Sequence, residues 1–267
     1  MSGSISQWYS GKTVLVTGGT SGIGLDMARL LVAWGSRVVI CGQDEPRLSA
    51  ALQQLNGIRA GAASGFRINL ADSQQRTEFL RQLMSQEKID VLVNNAGFGY
   101  MGEFSSMPLS TVASMEAVNI LALVELCQAV IPSMKERRAG GILNVGSVAS
   151  FFPTPGSAFY GATKYFVRSF TDALHAELGP QGIHVTGLYP GKTMTRFLTR
   201  ATSGKAEQWQ TGMGPEAVAR VGLLGLAQNQ LRVIPGWMNQ AMVIAARFLP
   251  TKWLLAATGQ RLSSENK

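Results

Sequence analysis

Apolar and polar positions alternate along the chain with two different periods. Short runs that are apolar at nearly every position predict strands at 13–17, 37–41, 65–69, 91–94, 141–145 and 184–189, with a short last strand at 231–234. Apolar residues at helical spacing predict helices at 23–34, 45–55, 73–86, 110–135, 158–178 and 215–227. Strands that are apolar on both faces and alternate with helices indicate an α/β fold. We therefore expect a doubly wound parallel sheet of about seven strands, with helices on both faces.

The composition supports a globular protein and weakens one class of partner. Hydrophobic residues make up 46% of the 267 positions and charged residues 15%, which excludes a disordered chain. The net charge of +8 is scattered and accompanies no nucleic-acid-binding motif. We therefore expect no nucleic-acid partner, and a positive field that favours an anionic cofactor or substrate.

The cysteines and the chain ends bear on compartment and metal binding. Cys41 and Cys127 lie in apolar runs without metal-ligand spacing, so we predict buried thiols in a reducing compartment and no metal site. The first twelve residues lack the apolar stretch of a signal peptide, and no run reaches the 18 or so apolar residues of a membrane span. The expectation is a cytoplasmic protein.

A glycine-rich turn follows the first predicted strand and opens the first helix. It reads Gly18-Gly19-Thr20-Ser21-Gly22-Ile23-Gly24. Glycines allow a sharp turn and a close approach to a pyrophosphate, and the helix N-terminus offers unpaired N–H groups. At the end of the first strand of an alternating α/β chain, such a turn predicts dinucleotide binding. We expect residues 1–230 to form a single dinucleotide-binding catalytic domain and residues 231–267 a C-terminal tail.

Further motifs follow in a recognisable order. The TGxxxGIG turn is followed by Asn94-Asn95-Ala96-Gly97, then Ser147, then Tyr160-Gly161-Ala162-Thr163-Lys164, then Pro190-Gly191. Over residues 11–230 the chain thereby resembles the short-chain dehydrogenase/reductase family, which implies a Rossmann-type sheet and a nicotinamide cofactor. The whole chain, tail included, is most similar to a bacterial branch whose substrates are mostly unassigned. A weaker similarity, carried by residues 135–138, connects it with ketosphinganine reductases.

The cofactor contacts are those that the turn and the resemblance imply. They comprise Gly18, Thr20, Ser21, Gly22, Ile23, Gly24, Gly42, Gln43, Asn69, Leu70, Asn95, Ala96, Gly97, Tyr160, Lys164, Pro190, Gly191, Thr193 and Thr195.

The choice between NADP and NAD depends on the end of the second strand. An acid there normally bonds the ribose 2′-OH and repels a 2′-phosphate, and this chain has Gly42 followed by Gln43. Asp44 is better placed to cap the next helix. NADP(H) is therefore favoured, although the arginine usual in NADP-preferring relatives is also absent, so NAD(H) stays open.

Tyr160 and Lys164 are the centre of the predicted chemistry. Four residues apart on a helix, they share one face, and a nearby ammonium together with a positive nicotinamide lowers the pKa of a phenol. Ser147, at the end of the fifth strand, is placed to polarise a substrate carbonyl oxygen. The resemblance makes Asn119 the fourth catalytic residue, holding a water that links Lys164 to solvent. The alternative is an asparagine satisfied by a backbone group.

Aromatic and Met residues in the loops around Ser147 predict an apolar pocket. These are Phe98, Tyr100, Phe152, Met194 and Phe197, with Trp209 in the same loop as the last two. The predicted reaction is hydride transfer between the nicotinamide and a carbonyl or secondary alcohol of a small lipophilic substrate, in the reductive direction. Alternatives are a 3-oxoacyl thioester reductase and a non-catalytic NADP(H)-sensing protein on the same fold.

The C-terminal tail departs from the family's compact ending. It is apolar, broken by Arg247, Pro250 and Lys252, with Trp237 and Trp253 near its ends. We favour a tail that packs on the substrate side or at a subunit interface of a homodimer or homotetramer. The alternative is a peripheral contact of residues 231–260 with a membrane surface.

Overall fold

One parallel sheet organises the protein. The computed structural model describes residues 2–195, 197–202 and 212–264. Its strands are β1 (Thr13–Thr17), β2 (Arg37–Gly42), β3 (Ala63–Arg67), β4 (Val91–Asn94), β5 (Gly140–Val145), β6 (Ile183–Leu188) and β7 (Arg232–Val233). They lie in the order β3-β2-β1-β4-β5-β6-β7, and every pairing is parallel. The predicted doubly wound, Rossmann-type sheet is confirmed.

Helices cover both faces of the sheet. In chain order they are α1 (Ser2–Tyr9), α2 (Gly22–Ala33), α3 (Glu45–Ile58), α4 (Ser73–Gln86), α5 (Leu109–Glu116), α6 (Ala122–Arg137), α7 (Ala158–Leu178), α8 (Phe197–Ala201), α9 (Pro215–Ala227), α10 (Trp237–Phe248) and α11 (Thr251–Ser264). Successive strand residues serve opposite cores: Val14 and Val16 pack beneath α2, α3 and α9, and Leu15 packs beneath α4, α6 and α7. This is why the strands are apolar at nearly every position.

The helix predicted at 110–135 is confirmed as a continuous helical run over Leu109–Arg137. It consists of α5, a π-helical turn over Ala117–Leu121 and α6. The sequence pattern did not predict the π-helical turn. The run Leu109–Arg137 is also the one described helix long and apolar enough to cross a membrane, but 44% of its most apolar window is buried within the fold.

Other boundaries differ by a few residues. β3 begins and ends two positions before the predicted 65–69, because Arg67 pairs with Gly42 at the end of β2. Asn69 therefore lies beyond the strand. The sequence pattern also did not predict α1, which anchors the N-terminus: Tyr9 is fully buried, and its hydroxyl donates to the Leu223 carbonyl of α9 at 2.7 Å.

The predicted cap at Asp44 and the predicted burial of both thiols are confirmed. Asp44 and Asp72 accept backbone N–H groups at the starts of α3 and α4. Cys41 and Cys127 are free and buried, and burial raises the pKa of each thiol to about 12. Among the described residues, no group of three His, Cys, Asp or Glu side chains forms a metal site.

The glycine at position 146 leaves room for the ring of Tyr189. A Cβ atom added at position 146 would lie 2.6 Å from two carbons of that fully buried ring. The ring also packs edge-on against Phe151, with 5.0 Å between centroids, so it has little room to move away.

We predict that Gly146→Ser lowers the free energy of unfolding by about 1–3 kcal/mol through overpacking. Urea denaturation of Gly146→Ser, Tyr189→Leu and the double variant gives the coupling between the two positions. With the smaller side chain at 189, the serine is expected to cost less than about 0.5 kcal/mol. An equal cost in both backgrounds would rule out Tyr189 as the cause.

Candidate active site

The site lies at the carboxyl ends of β1 and β4, the neighbouring strands at which the two halves of the sheet meet. The Thr17 hydroxyl, at the end of β1, accepts the backbone N–H groups of Asn95 and Ala96 at 3.0 Å each. The Asn95 amide donates to the carbonyls of Thr17 at 2.9 Å and Gly18 at 3.3 Å. These bonds join the glycine-rich turn to the loop after β4. They fix the crevice at the carboxyl edge, where ligands of such sheets bind.

The glycine-rich turn has the shape that a pyrophosphate requires. Gly18 and Gly22 have φ angles of +65° and +55°, which disfavour larger residues. A Cβ atom at Gly24 would lie 2.4 Å from Asn95 Nδ2. Ser21 precedes α2, and its side chain does not cap the helix, so the N–H groups of the first turn stay available to an anion. Thr20 and Ile23 lie in the same turn.

The loop after β6 closes against this turn. The Pro190 carbonyl accepts the N–H of Val148 at 3.0 Å, and the Thr193 hydroxyl donates to the Gly191 carbonyl at 3.2 Å. A Cβ atom added to Gly22 would meet the Thr195 methyl at 3.1 Å. The structure therefore brings both predicted threonines to the cofactor crevice, with Thr195 nearest the turn.

Arg67, which the sequence did not identify as a site residue, lies at the far end of the crevice. A cavity of about 340 Å³ is lined by Gln43, Arg67, Asn69 and Gln75. Arg67 stands directly opposite Gly42 in the sheet register. Leu70 packs in the core, and its carbonyl accepts a hydrogen bond from the Arg76 guanidinium at 2.9 Å.

Tyr160, Ser147 and Lys164 meet at the carboxyl edge of β5. The Ser147 hydroxyl lies near enough to that of Tyr160 to favour the phenolate, and it accepts the N–H of Ala149 at 3.2 Å. Lys164 is 5% exposed, and its ammonium donates to the Val145 carbonyl at 2.9 Å. That ammonium lies 5.8 Å from the centre of the Tyr160 ring. It also approaches Gly97, since a Cβ atom there would be 3.4 Å from Lys164 Nζ.

Asn119 lies in the π-helical turn, a feature often found at functional sites. Its Oδ1 accepts the N–H of Phe98 at 3.1 Å, and its Nδ2 donates to the Phe98 carbonyl and the Thr163 hydroxyl, each at 3.0 Å. These are the backbone contacts of the alternative interpretation. The same Oδ1 would be 3.1 Å from a Cβ atom on Gly97, which places Asn119 beside Lys164.

Comparison with known proteins identifies the family to which this chain belongs. A model of the short-chain dehydrogenase family matches residues 12–206. The chain belongs to the short-chain dehydrogenase/reductase family. It is therefore a nicotinamide-dependent oxidoreductase that acts on CH–OH and C=O groups. The glycine turn, the uncapped helix and the buried lysine fit that cofactor.

Three similar proteins illustrate the range of the family. The chain is 31% identical to the 3-oxoacyl-[acyl-carrier-protein] reductase FabG of Chlamydia pneumoniae, over 82% of this chain and 90% of that protein. A short-chain dehydrogenase from Sphingobium yanoikuyae, solved in complex with NADPH, superposes with a TM-score of 0.81 at 30% identity over 95% of both chains. The bulky-bulky ketone specific alcohol dehydrogenase of Comamonas testosteroni gives 0.76 at 27% identity, over 88% of this chain and 92% of that one.

Two positioning residues of this short-chain dehydrogenase were missed by motif reasoning. The Ser150 hydroxyl donates to the Lys164 carbonyl at 2.7 Å and accepts the N–H of Ser147 at 3.4 Å, so it joins the helix turn that carries the lysine to Ser147. Thr163 holds Asn119 while donating to the Tyr160 carbonyl at 2.8 Å. Their nearness to Ser147 and Lys164 in the sequence was the available signal.

The residues predicted to line the substrate pocket differ in their exposure and in their distance from Tyr160. The ring of Phe197 packs against Tyr160 with 5.4 Å between centroids, and both approach Gly99. Phe98 and Tyr100 are half-buried in the loop after β4, Met194 is 42% exposed, and Phe152 is buried. Trp209 lies outside the described residues.

In the chain without a nucleotide the pKa of Tyr160 is raised, and the predicted lowering by Lys164 together with a positive nicotinamide stays a prediction. Burial raises the pKa of the phenol to about 12, and the nearby Ser147 hydroxyl offsets only part of this effect. Burial likewise lowers the pKa of the Lys164 ammonium to about 8, so the lysine is mostly protonated at neutral pH. Its charge is directed at the Val145 carbonyl rather than at the phenol.

We predict that Lys164→Met raises the free energy of unfolding by about 1–3 kcal/mol at pH 7. The folded-state pKa of about 8 lies below the usual 10.5, so folding disfavours the ammonium at every pH below 8. This penalty disappears as the pH rises from 8 towards 10.5, and the gain should shrink accordingly. Urea unfolding at pH 7 and pH 10 measures both values.

The exposed Lys88→Met is the matched control and should leave stability nearly unchanged at either pH. A Lys164→Met variant that is less stable than the parent at pH 7, or whose gain is the same at pH 10, would contradict the buried charge.

Proposed function

We propose that this protein is an NADP(H)-dependent reductase of a lipophilic ketone. The observation that carries the proposal is the grouping of Ser147 and Tyr160 beside the Phe197 ring, with the buried ammonium of Lys164 behind them. The bound nicotinamide supplies the hydride. The protein's part is to hold the carbonyl, polarise its oxygen and deliver a proton.

Each side chain has a distinct task in that scheme. Ser147 donates a hydrogen bond to the substrate oxygen, which stabilises the negative charge that develops there. Tyr160 transfers its proton to the same oxygen as the alcohol forms. Lys164 keeps a positive charge beside Gly97, and it favours the phenolate that remains. Asn119 and Thr163 hold the turns that carry these groups.

Support for an apolar, bulky substrate comes from the wall of the site. Phe197 covers one side of Tyr160, and the half-buried Phe98 follows the cofactor loop. Burying apolar surface of a ligand against an aromatic wall is favourable and strengthens binding. The similarity to an alcohol dehydrogenase specific for bulky-bulky ketones points in the same direction.

We predict that Tyr160→Phe lowers kcat for ketone reduction by at least about 100-fold, because it removes the proton donor. NADPH binding, measured by fluorescence titration, should change less than about threefold. Tyr165→Phe, one turn along the same helix, is the matched control and should retain activity. Turnover unchanged in Tyr160→Phe would exclude this mechanism.

The preference for NADP(H) rests on Arg67. The acid that would repel a 2′-phosphate is replaced by Gly42, and Arg67 stands opposite that position on the neighbouring strand. Arg67 is exposed and lines the cavity with Gln43 and Asn69. A guanidinium is well suited to a phosphate because it donates two parallel hydrogen bonds. The NADPH complex of the Sphingobium yanoikuyae relative supports the same choice.

We predict that Arg67→Gln raises the Kd for NADPH roughly 10- to 100-fold, the effect of losing a charge-assisted hydrogen bond. The Kd for NADH, which lacks the 2′-phosphate, should change less than about threefold. Arg220→Gln on α9 removes an exposed arginine elsewhere and should alter neither value. Equal losses for both nucleotides would show that Arg67 does not read the 2′-phosphate.

The similarity to an acyl-carrier-protein reductase favours one alternative, a 3-oxoacyl thioester substrate. Rates of NADPH consumption with bulky ketones and with 3-oxoacyl thioesters distinguish the two. NADPH binding without turnover on either panel would instead favour a nucleotide-sensing role. Homo-oligomer formation and a cytoplasmic location stay predictions.

A further inference from the structure

The C-terminal helix α10 presents an apolar face to solvent. Trp237, Ala241, Ile244 and Phe248 recur at the spacing of a single helix face. The three large members are 76%, 61% and 79% exposed, and the neighbouring Met238 is 68% exposed. Isolated apolar side chains on a surface are ordinary, whereas an aligned stripe of this size marks an interaction surface.

The opposite face of α10 is the one that packs on the protein. Asn239, Val243 and Ala246 are its less exposed members, and only Ala246 is fully buried. The Asn239 amide donates to the Pro235 carbonyl at 2.6 Å, and it would collide with a Cβ atom on Gly191. The helix is therefore attached beside the Pro190–Gly191 loop of the active site, with its apolar stripe directed away from the body.

Charge identifies the kind of partner. The sequence from 231 to 264 contains no Asp or Glu, whereas it contains Arg232, Arg247, Lys252 and Arg261. Arg232 pairs with Asp172, but no ion pair of Arg247 or Lys252 is found in the described part of the chain. Trp253, at the start of α11, is 64% exposed next to Lys252. Tryptophan and basic side chains around an apolar stripe suit the interface of an anionic bilayer.

A second copy of the chain is a poorer match for this face. In a two-fold symmetric contact the same patch meets itself, so Arg247 and Lys252 would approach cations with no acid in the segment to pair with them.

We propose that α10 docks the protein peripherally on an anionic lipid surface, with the Trp237–Ile244–Phe248 stripe inserted among the acyl chains. Because α10 packs against the loop after β6, docking brings the substrate crevice close to the bilayer. A lipophilic substrate dissolved in the membrane then reaches the site without crossing water.

The test is co-sedimentation of the full chain with vesicles, without substrate or nucleotide, so that it is independent of the proposed reaction. Wild type is expected to bind phosphatidylglycerol/phosphatidylcholine vesicles and to be released by salt. Trp237→Ser/Phe248→Ser should lower the partition coefficient at least tenfold, because it removes the inserted side chains. Arg247→Gln/Lys252→Gln should lower it roughly 10- to 30-fold on anionic vesicles and little on pure phosphatidylcholine.

Ile58→Ser/Val221→Ser is the matched control, since it removes two exposed apolar side chains from α3 and α9 and should not affect binding. Retained NADPH binding shows that each variant is folded. No binding by wild type, or equal binding by wild type and Trp237→Ser/Phe248→Ser, overturns the proposal. If light scattering instead shows that this variant breaks an oligomer and vesicles have no effect, the face is a contact between copies.

Discussion

The buried ammonium of Lys164 is the constraint around which the site is arranged. It lies in the interior with a carbonyl of β5 as its hydrogen-bond partner, and no ion pair for it is found among the described residues. Burying a charge without a counter-ion costs stability, so the surrounding chain must hold it firmly. Ser150 fixes the lysine's own carbonyl, and Gly97 leaves room for its charged end. The fold tolerates this loss of stability, and a positive charge is thereby held 5.8 Å from the centre of the Tyr160 ring.

The contacts around Lys164 continue into hydrogen bonds that connect the two halves of the sheet. Lys164 belongs to α7, Gly97 to the loop after β4, and Thr17 joins that loop to the glycine-rich turn after β1. A buried amide chain adds to this connection, since Asn94 donates to Asn144 at 2.9 Å and Asn144 donates to Thr171 of α7 at 3.0 Å. Cofactor turn and catalytic helix are thus held in one hydrogen-bonded frame, which suits a reaction that depends on the distance between hydride donor and proton donor.

The sheet and the grouping of the candidate catalytic residues were predictable because local sequence patterns encode them. Continuous apolar strands, a glycine turn and Tyr160 four residues before Lys164 are visible without coordinates. The π-helical turn at Asn119, Arg67 opposite Gly42 and the ring of Tyr189 over Gly146 were not, because each depends on contacts between segments distant in sequence. The effect of burial on Tyr160 was not visible for a related reason: spacing shows that a lysine is near, whereas only the structure shows how strongly burial opposes the phenolate.

The central claim is that the phenol becomes an effective acid/base only when a positive nicotinamide joins Lys164. The direct measurement is a pH titration of tyrosinate absorbance, taken as the difference between wild type and Tyr160→Phe, with and without oxidised NADP. The chain alone should titrate near the pKa of about 12 that burial imposes. With the nucleotide bound, the pKa of Tyr160 should fall by several units. The same pKa in both states would contradict the account.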